Sequence, residues 1–293
     1  MTVNTRVLVN DFAYVAPSSL DGALRLLDKD GPDAKVLAGG TDLVIQMKLG
    51  RRAPRVVIDV SKLEELKQLE AGDTIRIGAG RRYVDVLRFL REQGRYHGLA
   101  EAIESVGKIQ VLAVGTVGGN LCNGSPAADT APPLITYDAR VRVMSAHAER
   151  VIPLGEFYTG VNETVMAPDE LMTHIEFDAF PDGRSSAFRK IARVACDIAK
   201  LTCAVVVQRD GETCTHCRIA FGAVAPIPVR ARRVEEAFEG RRIDAPAVRK
   251  GAALVCRDIS PIDDVRSTEL YRTEAAAVVF KEAFETAWER ARC

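Results

Sequence analysis

Residues Ala34 to Lys48 read AKVLAGGTDLVIQMK, and the reading of this stretch decides the fold. Lys35 to Ala38 is an apolar run of the kind that forms a buried strand, and Leu43 to Leu49 has the look of a short helix. Between them stand Gly39, Gly40 and Thr41. A tight turn needs one glycine. Two, followed by a hydroxyl, imply that something else lies against the backbone.

Upstream, Ser18 or Ser19 can cap a helix in SLDGALRLLDKDG, where Leu20, Ala23, Leu24 and Leu27 share a face and Gly31 ends the run. Downstream, Val56 to Val60 is rich in β-branched residues and reads as a buried strand. TIRIGAG gives a further strand, followed by helices over about Val84 to Glu92 and around LAEAIESVG. Strands resume at ARVRVMS and ELMTHIEFDAF. The segment FPDGRSS, with Pro181, Asp182 and Gly183, reads as a linker. Beyond it, Ala204 to Gln208 and Cys217 to Val224 suit paired strands. Helices follow Arg232, the last of them long and amphipathic in STELYRTEAAAVVFKEAFETAWERA. The class is α+β in two domains: 1–180, with subdomains of about 1–61 and 62–180, and 181–293.

Composition narrows the function. The 293 residues carry 40 Lys plus Arg against 40 Asp plus Glu, so net charge points to neither nucleic acid nor an anionic membrane. No apolar run approaches the ~20 residues that span a bilayer. The N-terminus lacks a signal-peptide pattern, and a cytoplasmic protein is expected. Seven scattered cysteines point to reduced thiols. Only Cys214 and Cys217 form a C-x-x-C, and without a second pair they read as structural or incidental rather than as a metal or redox site. No four-cysteine spacing for an iron–sulfur cluster is present.

A second unusual stretch, Gly115-Thr116-Val117-Gly118-Gly119-Asn120, has the ingredients of the first. Glycines let a ligand reach amide nitrogens without a Cβ in the way, and successive N–H groups form an anion nest. Thr41 and Thr116 can donate further hydrogen bonds. Two such loops suit two adjacent phosphates held by backbone amides, and Asp42 is expected to turn away and cap the helix behind it. Tight turns in a packed domain are the structural alternative. The P-loop spacing is absent, which argues against nucleotide hydrolysis. IRIGAGRRY has Tyr83 where a dinucleotide fingerprint would place its third glycine, so it reads as a turn.

LAGGTDLVIQMKLG followed by GTVGGNLCNGSPAADTAPPLI resembles the FAD-binding medium subunit of molybdenum hydroxylases, the xanthine dehydrogenase and carbon monoxide dehydrogenase family. The likeness extends to Phe12, Tyr14 and Pro17, the IGAG turn, GAVAPIPVRA and ELYRTEAA. It implies an FAD-binding domain of the vanillyl-alcohol-oxidase type, made of two α/β subdomains, and a C-terminal domain of antiparallel sheet and helices. It further implies that Val36, Leu37, Ala38, Gly39, Gly40, Thr41, Asp42 and Leu43 wrap the FAD pyrophosphate. Thr116, Val117, Gly118, Gly119 and Asn120 would make the second phosphate and ribityl contact. Val106, Asp129, Met172 and a lysine complete the implied set, with Lys190 favoured over Arg189 on residue type. Leu112 and Ala113 depart from the Arg-Asn common in the family, and a cluster-binding insertion found in one branch is absent, so FAD without iron is expected here.

The role implied is electron transfer. A large molybdopterin subunit oxidises substrate, a small subunit with [2Fe-2S] clusters relays electrons, and this chain passes them from FAD to an external acceptor, in a dimer of heterotrimers. No residue of this chain is required as nucleophile or general base. The loop Ala192 to Lys200 is expected near the flavin ring. A self-sufficient flavoenzyme of the same fold and a non-catalytic nucleotide-binding assembly subunit are the alternatives.

Overall fold

The computed structural model describes Leu8 and residues 10–292; Cys293 and most of the short apolar run that opens the chain lie outside them. The chain begins as an alternation of strand and helix, β1 (Ala13–Val15), α1 (Leu20–Asp30), β2 (Ala34–Leu37), α2 (Leu43–Lys48) and β3 (Val56–Asp59). Ser19 caps α1, its side chain accepting from the Gly22 amide, and the Gly31 amide closes the C-terminus on the Leu27 carbonyl. Ala23, Leu24 and Leu27 bury one face of α1 in a small core with Ile58, Leu63 and Leu66. The strands form a parallel sheet ordered β1-β3-β2, with Leu37 opposite Asp59. Chain leaving the carboxyl end of β2 therefore enters the position where parallel sheets place their ligands.

Next come β4 (Leu69–Glu70), β5 (Thr74–Gly78), the helices α3 (Tyr83–Gln93), α4 (His97–Val106), α5 (Ile109–Leu112), α6 (Val117–Cys122) and α7 (Ala131–Thr136), then β6 (Arg140–Met144) and β7 (Glu149–Pro153). After the small hairpin β8 (Tyr158–Gly160) and β9 (Glu163–Thr164), β10 (Leu171–Asp178) completes a five-stranded sheet ordered β4-β5-β10-β6-β7. Alternate residues Ile75 and Ile77, Val141 and Val143, and Ile175 and Phe177 point into the largest core. IGAG is the turn between β5 and α3.

The remaining chain forms an antiparallel sheet from β11 (Arg184–Ile191), β12 (Leu201–Asp210), β13 (Thr213–Gly222), β14 (Val229–Arg230) and β15 (Arg241–Arg242), covered by α8 (Arg232–Phe238), α9 (Ala245–Leu254) and α10 (Glu269–Arg290). Cys214 and Cys217 are free thiols in the core beneath these helices.

One local expectation is corrected. Arg184, Ser185 and Ser186 do not belong to a linker; they open β11. Two buried serines lowered the apolar signal of this strand, and one of them is satisfied from the preceding region. Ser186 Oγ accepts from the Gly98 amide at 3.0 Å and shares a 2.9 Å hydrogen bond with the Tyr137 hydroxyl. Glu101 on α4 likewise accepts from the Phe188 amide at 2.8 Å. Thus α4 and β11 are stitched together, which carries the residues after Phe188 toward the glycine loops.

The C-terminal core centres on Phe284, whose ring lies 4.8 Å from Phe238, 5.7 Å from Phe280 and 5.8 Å from Trp288. Truncation there empties a close-packed site, so Phe284→Ala should cost about 3–5 kcal/mol. Urea unfolding of the variant against the parent checks this.

Candidate cofactor site

The two glycine loops touch. A Cβ on Gly39 would stand 2.1 Å from the Val114 carbonyl oxygen and 2.7 Å from Gly115 Cα, so only glycine allows this approach. Beyond it, Gln46 on α2 donates to Asn123 just past α6 at 2.9 Å. What lies directly against Gly39 is thus the second loop, not open space for a ligand.

The loops differ in what they offer. Gly40 has a φ of 71° and turns the chain into α2. Across that turn, the amides of Gly39, Gly40, Thr41, Asp42 and Leu43 donate to no other group among the described residues. A run of uncommitted successive donors is what an anion nest requires. In the second loop three amides are committed, Gly118 to the Ala79 carbonyl at 3.2 Å, Gly119 to Thr116 Oγ1 at 3.0 Å and Asn120 to the Thr116 carbonyl at 3.1 Å, while those of Thr116 and Val117 donate to no other group among the described residues. A Cβ on Gly118 would meet Ala79 at 2.6 Å, which explains that glycine by packing. The first loop thus leaves five successive amides uncommitted, while the second leaves those of Thr116 and Val117 together with the Thr116 hydroxyl hydrogen and the Asn120 side-chain NH2.

Asp42 is corrected as well. It occupies the cap position of α2, but its side chain makes no capping hydrogen bond. It sits at the exposed rim, yet neighbouring protein strips enough water to raise its carboxyl pKa.

Behind the loops is a buried polar cluster. Asp129, in the turn before α7, pairs with Lys190 on β11 at 2.6 Å, both side chains 8% exposed. Lys190 also donates to the Ser105 carbonyl at 2.9 Å. Burial raises the Asp129 pKa to about 6, the nearby Lys190 cation only partly opposing it. Asp129 Oδ1 and the Tyr158 hydroxyl are buried without a hydrogen-bond partner. Arg189 points elsewhere, to Thr286 on α10 at 2.7 Å, so Lys190 is the basic residue that joins this cluster.

The apolar members divide. Val36 and Ala38 pack against the small core, and Val106 against the largest. Val117 and Met172 are almost wholly buried in that largest core, where packing accounts for their side chains. Sequence reasoning passed over Tyr83, Thr130 and Tyr158. Each is buried, and the glycine-rich pattern carried no signal for them. Among the described residues, no group of three or more His, Cys, Asp or Glu could hold a metal ion.

Residues 10–178 match the FAD binding domain of molybdopterin dehydrogenases, and residues 186–287 match the CO dehydrogenase flavoprotein C-terminal domain. The chain belongs to the FAD-binding medium subunits of the molybdenum hydroxylases, an oxidoreductase class, and has the α+β architecture expected of them. It is 34% identical over 280 residues to the carbon monoxide dehydrogenase medium chain of Hydrogenophaga pseudoflava, spanning 95% of this chain and 98% of that one. To the xanthine dehydrogenase FAD-binding subunit of Escherichia coli O157:H7 it is 29% identical over 282 residues, 94% and 96% of the two chains. A solved structure of the Hydrogenophaga carbon monoxide dehydrogenase lacking the Mo-pyranopterin moiety superposes with a TM-score of 0.92 at 35% identity, over 95% of this chain and 98% of that one.

The Asp129–Lys190 pair gives a pH-dependent prediction. The folded-state pKa of Asp129 stands above the unfolded 3.8. Its contribution to stability is therefore fully present below 3.8 and is lost as pH rises through about 6. Lys190 limits that loss by stabilising the carboxylate. Lys190→Met should thus cost about 3–5 kcal/mol at pH 8, where Asp129 is ionised, and clearly less at pH 5. Denaturant unfolding at the two pH values measures the difference.

Proposed function

We propose that this chain is the FAD-carrying electron-transfer subunit of a heteromeric molybdenum hydroxylase. It takes electrons from [2Fe-2S] clusters on a small partner subunit, supplied in turn by a large molybdopterin subunit, and passes them to an external acceptor. The assembly is a dimer of heterotrimers in the cytoplasm. The observation that carries this reading is the run of unpartnered amides from Gly39 to Leu43, braced against the second glycine loop.

The residues present fit FAD. Gly39 to Leu43 supply backbone donors for a diphosphate without a lysine in the loop, and the Thr116 hydroxyl and Asn120 NH2 add donors from the second loop. Bound FAD accepts electrons singly and delivers them in pairs, and that chemistry belongs to the cofactor. The chain binds and orients it. Asp129 and Lys190 keep a balanced charge pair in the buried cluster, and Asp129 Oδ1 retains an acceptor position there. Val194 and Ile198, 69% and 52% exposed on the loop between β11 and β12, lie a few residues from Lys190 and suit contact with a partner or acceptor. Among the described residues no helix is long and apolar enough to cross a membrane.

The purified chain should be yellow, or take up added FAD. Its flavin should stay oxidised with small substrates alone and be reduced once a reduced [2Fe-2S] partner is supplied. Absorbance at the flavin bands follows both steps. A colourless chain that takes up no FAD, or one whose flavin is bleached by substrate without a partner, contradicts the proposal.

A further inference from the structure

The turn before α7 holds two adjacent side chains that reach in different directions. Asp129 pairs with Lys190 on β11, and the next residue, Thr130, reaches the second glycine loop. Thr130 is wholly buried and stands at the cap position of α7, yet its side chain makes no capping hydrogen bond. Its Oγ1 lies instead 2.6 Å from Asn120 Oδ1.

That distance orients the Asn120 carboxamide. A separation of 2.6 Å suits an O–H donor on an oxygen acceptor and is shorter than N–H···O hydrogen bonds run. A threonine hydroxyl carries one hydrogen, and here it goes to the carboxamide oxygen. The NH2 is left on the other branch of a half-buried side chain, and it donates to no group among the described residues.

The platform beneath Thr130 is rigid. Pro132 and Pro133 lie in the first turn of α7, all six residues of which are buried. The Ala223 amide donates to the Pro126 carbonyl at 2.8 Å, and a Cβ on Gly222 would stand 3.1 Å from Pro132 Cγ. The turn from Pro126 to Pro132 is thus pinned to the end of β13, and the hydroxyl is presented from a fixed backbone.

We propose that Thr130 is a positioning residue of the cofactor site, whose hydroxyl holds Asn120 Oδ1 and so keeps the Asn120 NH2 available as a donor to the FAD diphosphate. The inference rests on the FAD reading above and adds to it a residue outside both glycine loops. Without the hydroxyl the carboxamide is free to turn its acceptor oxygen toward the anionic group, which replaces attraction by repulsion.

The test uses the full chain and FAD titrations followed by flavin fluorescence. Thr130→Val keeps the side-chain shape, removes the donor and should weaken FAD binding by about tenfold, the loss of one directed hydrogen bond. Thr130→Ser restores the hydroxyl and should bind FAD as the parent does. Asn120→Ala should weaken binding as Thr130→Val does, and Thr130→Val should add nothing in that background. Asn120→Asp puts an oxygen where the NH2 stood and should weaken binding more than Asn120→Ala, a comparison that stands even should Thr130→Val fold poorly. Unchanged affinity in Thr130→Val, equal losses in Thr130→Val and Thr130→Ser, losses that add in the double variant, or Asn120→Asp binding no worse than Asn120→Ala would overturn the inference while leaving the FAD reading intact. A parent chain that takes up no FAD would overturn that reading and this inference with it.

Discussion

The contact on which the rest of this structure depends is backbone against backbone, Gly39 on Val114 and Gly115. It joins the carboxyl end of a parallel three-stranded sheet to the helical segment that runs between β5 and β6 of the five-stranded one. Two regions with separate hydrophobic cores are thereby held in register by atoms no side chain could replace. The glycines that first suggest a ligand turn out to serve this docking as well. Gly39 is required by the other loop and Gly118 by Ala79, and what is left over is a run of amides without partners among the described residues.

On the proposed reading, that division is how a pair of loops without a basic residue serves an anionic group. In that reading the first loop supplies backbone donors along its whole run, while the second commits the amides of Gly118, Gly119 and Asn120 within the protein and adds side-chain donors. The charged groups are set back. Lys190 reaches the cluster from β11, a strand of the C-terminal sheet, and is neutralised there by Asp129. Stitching of α4 to β11 through Ser186 and Glu101 is what makes that reach possible. The site is thus assembled from three stretches of chain distant in sequence, and its geometry reports on the packing of the whole molecule.

Much of this was legible in the residues. The Ser19 cap, the Gly31 stop and the apolar face of α1 follow from local rules, as do the β-branched strand β3 and the pairing of β12 with β13. The two glycine loops were visible as a pattern, and the family likeness tied them to FAD. The start of β11 was hidden, because Ser185 and Ser186 look like turn residues on their own and the partners of Ser186 lie a long way off in sequence. The Asp42 cap failed for a related reason: the residue type fits, but the backbone enters α2 in a helical conformation that keeps the carboxylate from its amides.

Residue-resolved amide hydrogen exchange with and without FAD tests the central claim most directly. The amides from Gly39 to Leu43, which have no partner among the described residues, should exchange freely alone and become protected when FAD is added. Those of Gly118, Gly119 and Asn120 should already be slowed before it is added. Saturating FAD that leaves Gly39 to Leu43 unprotected would contradict the account.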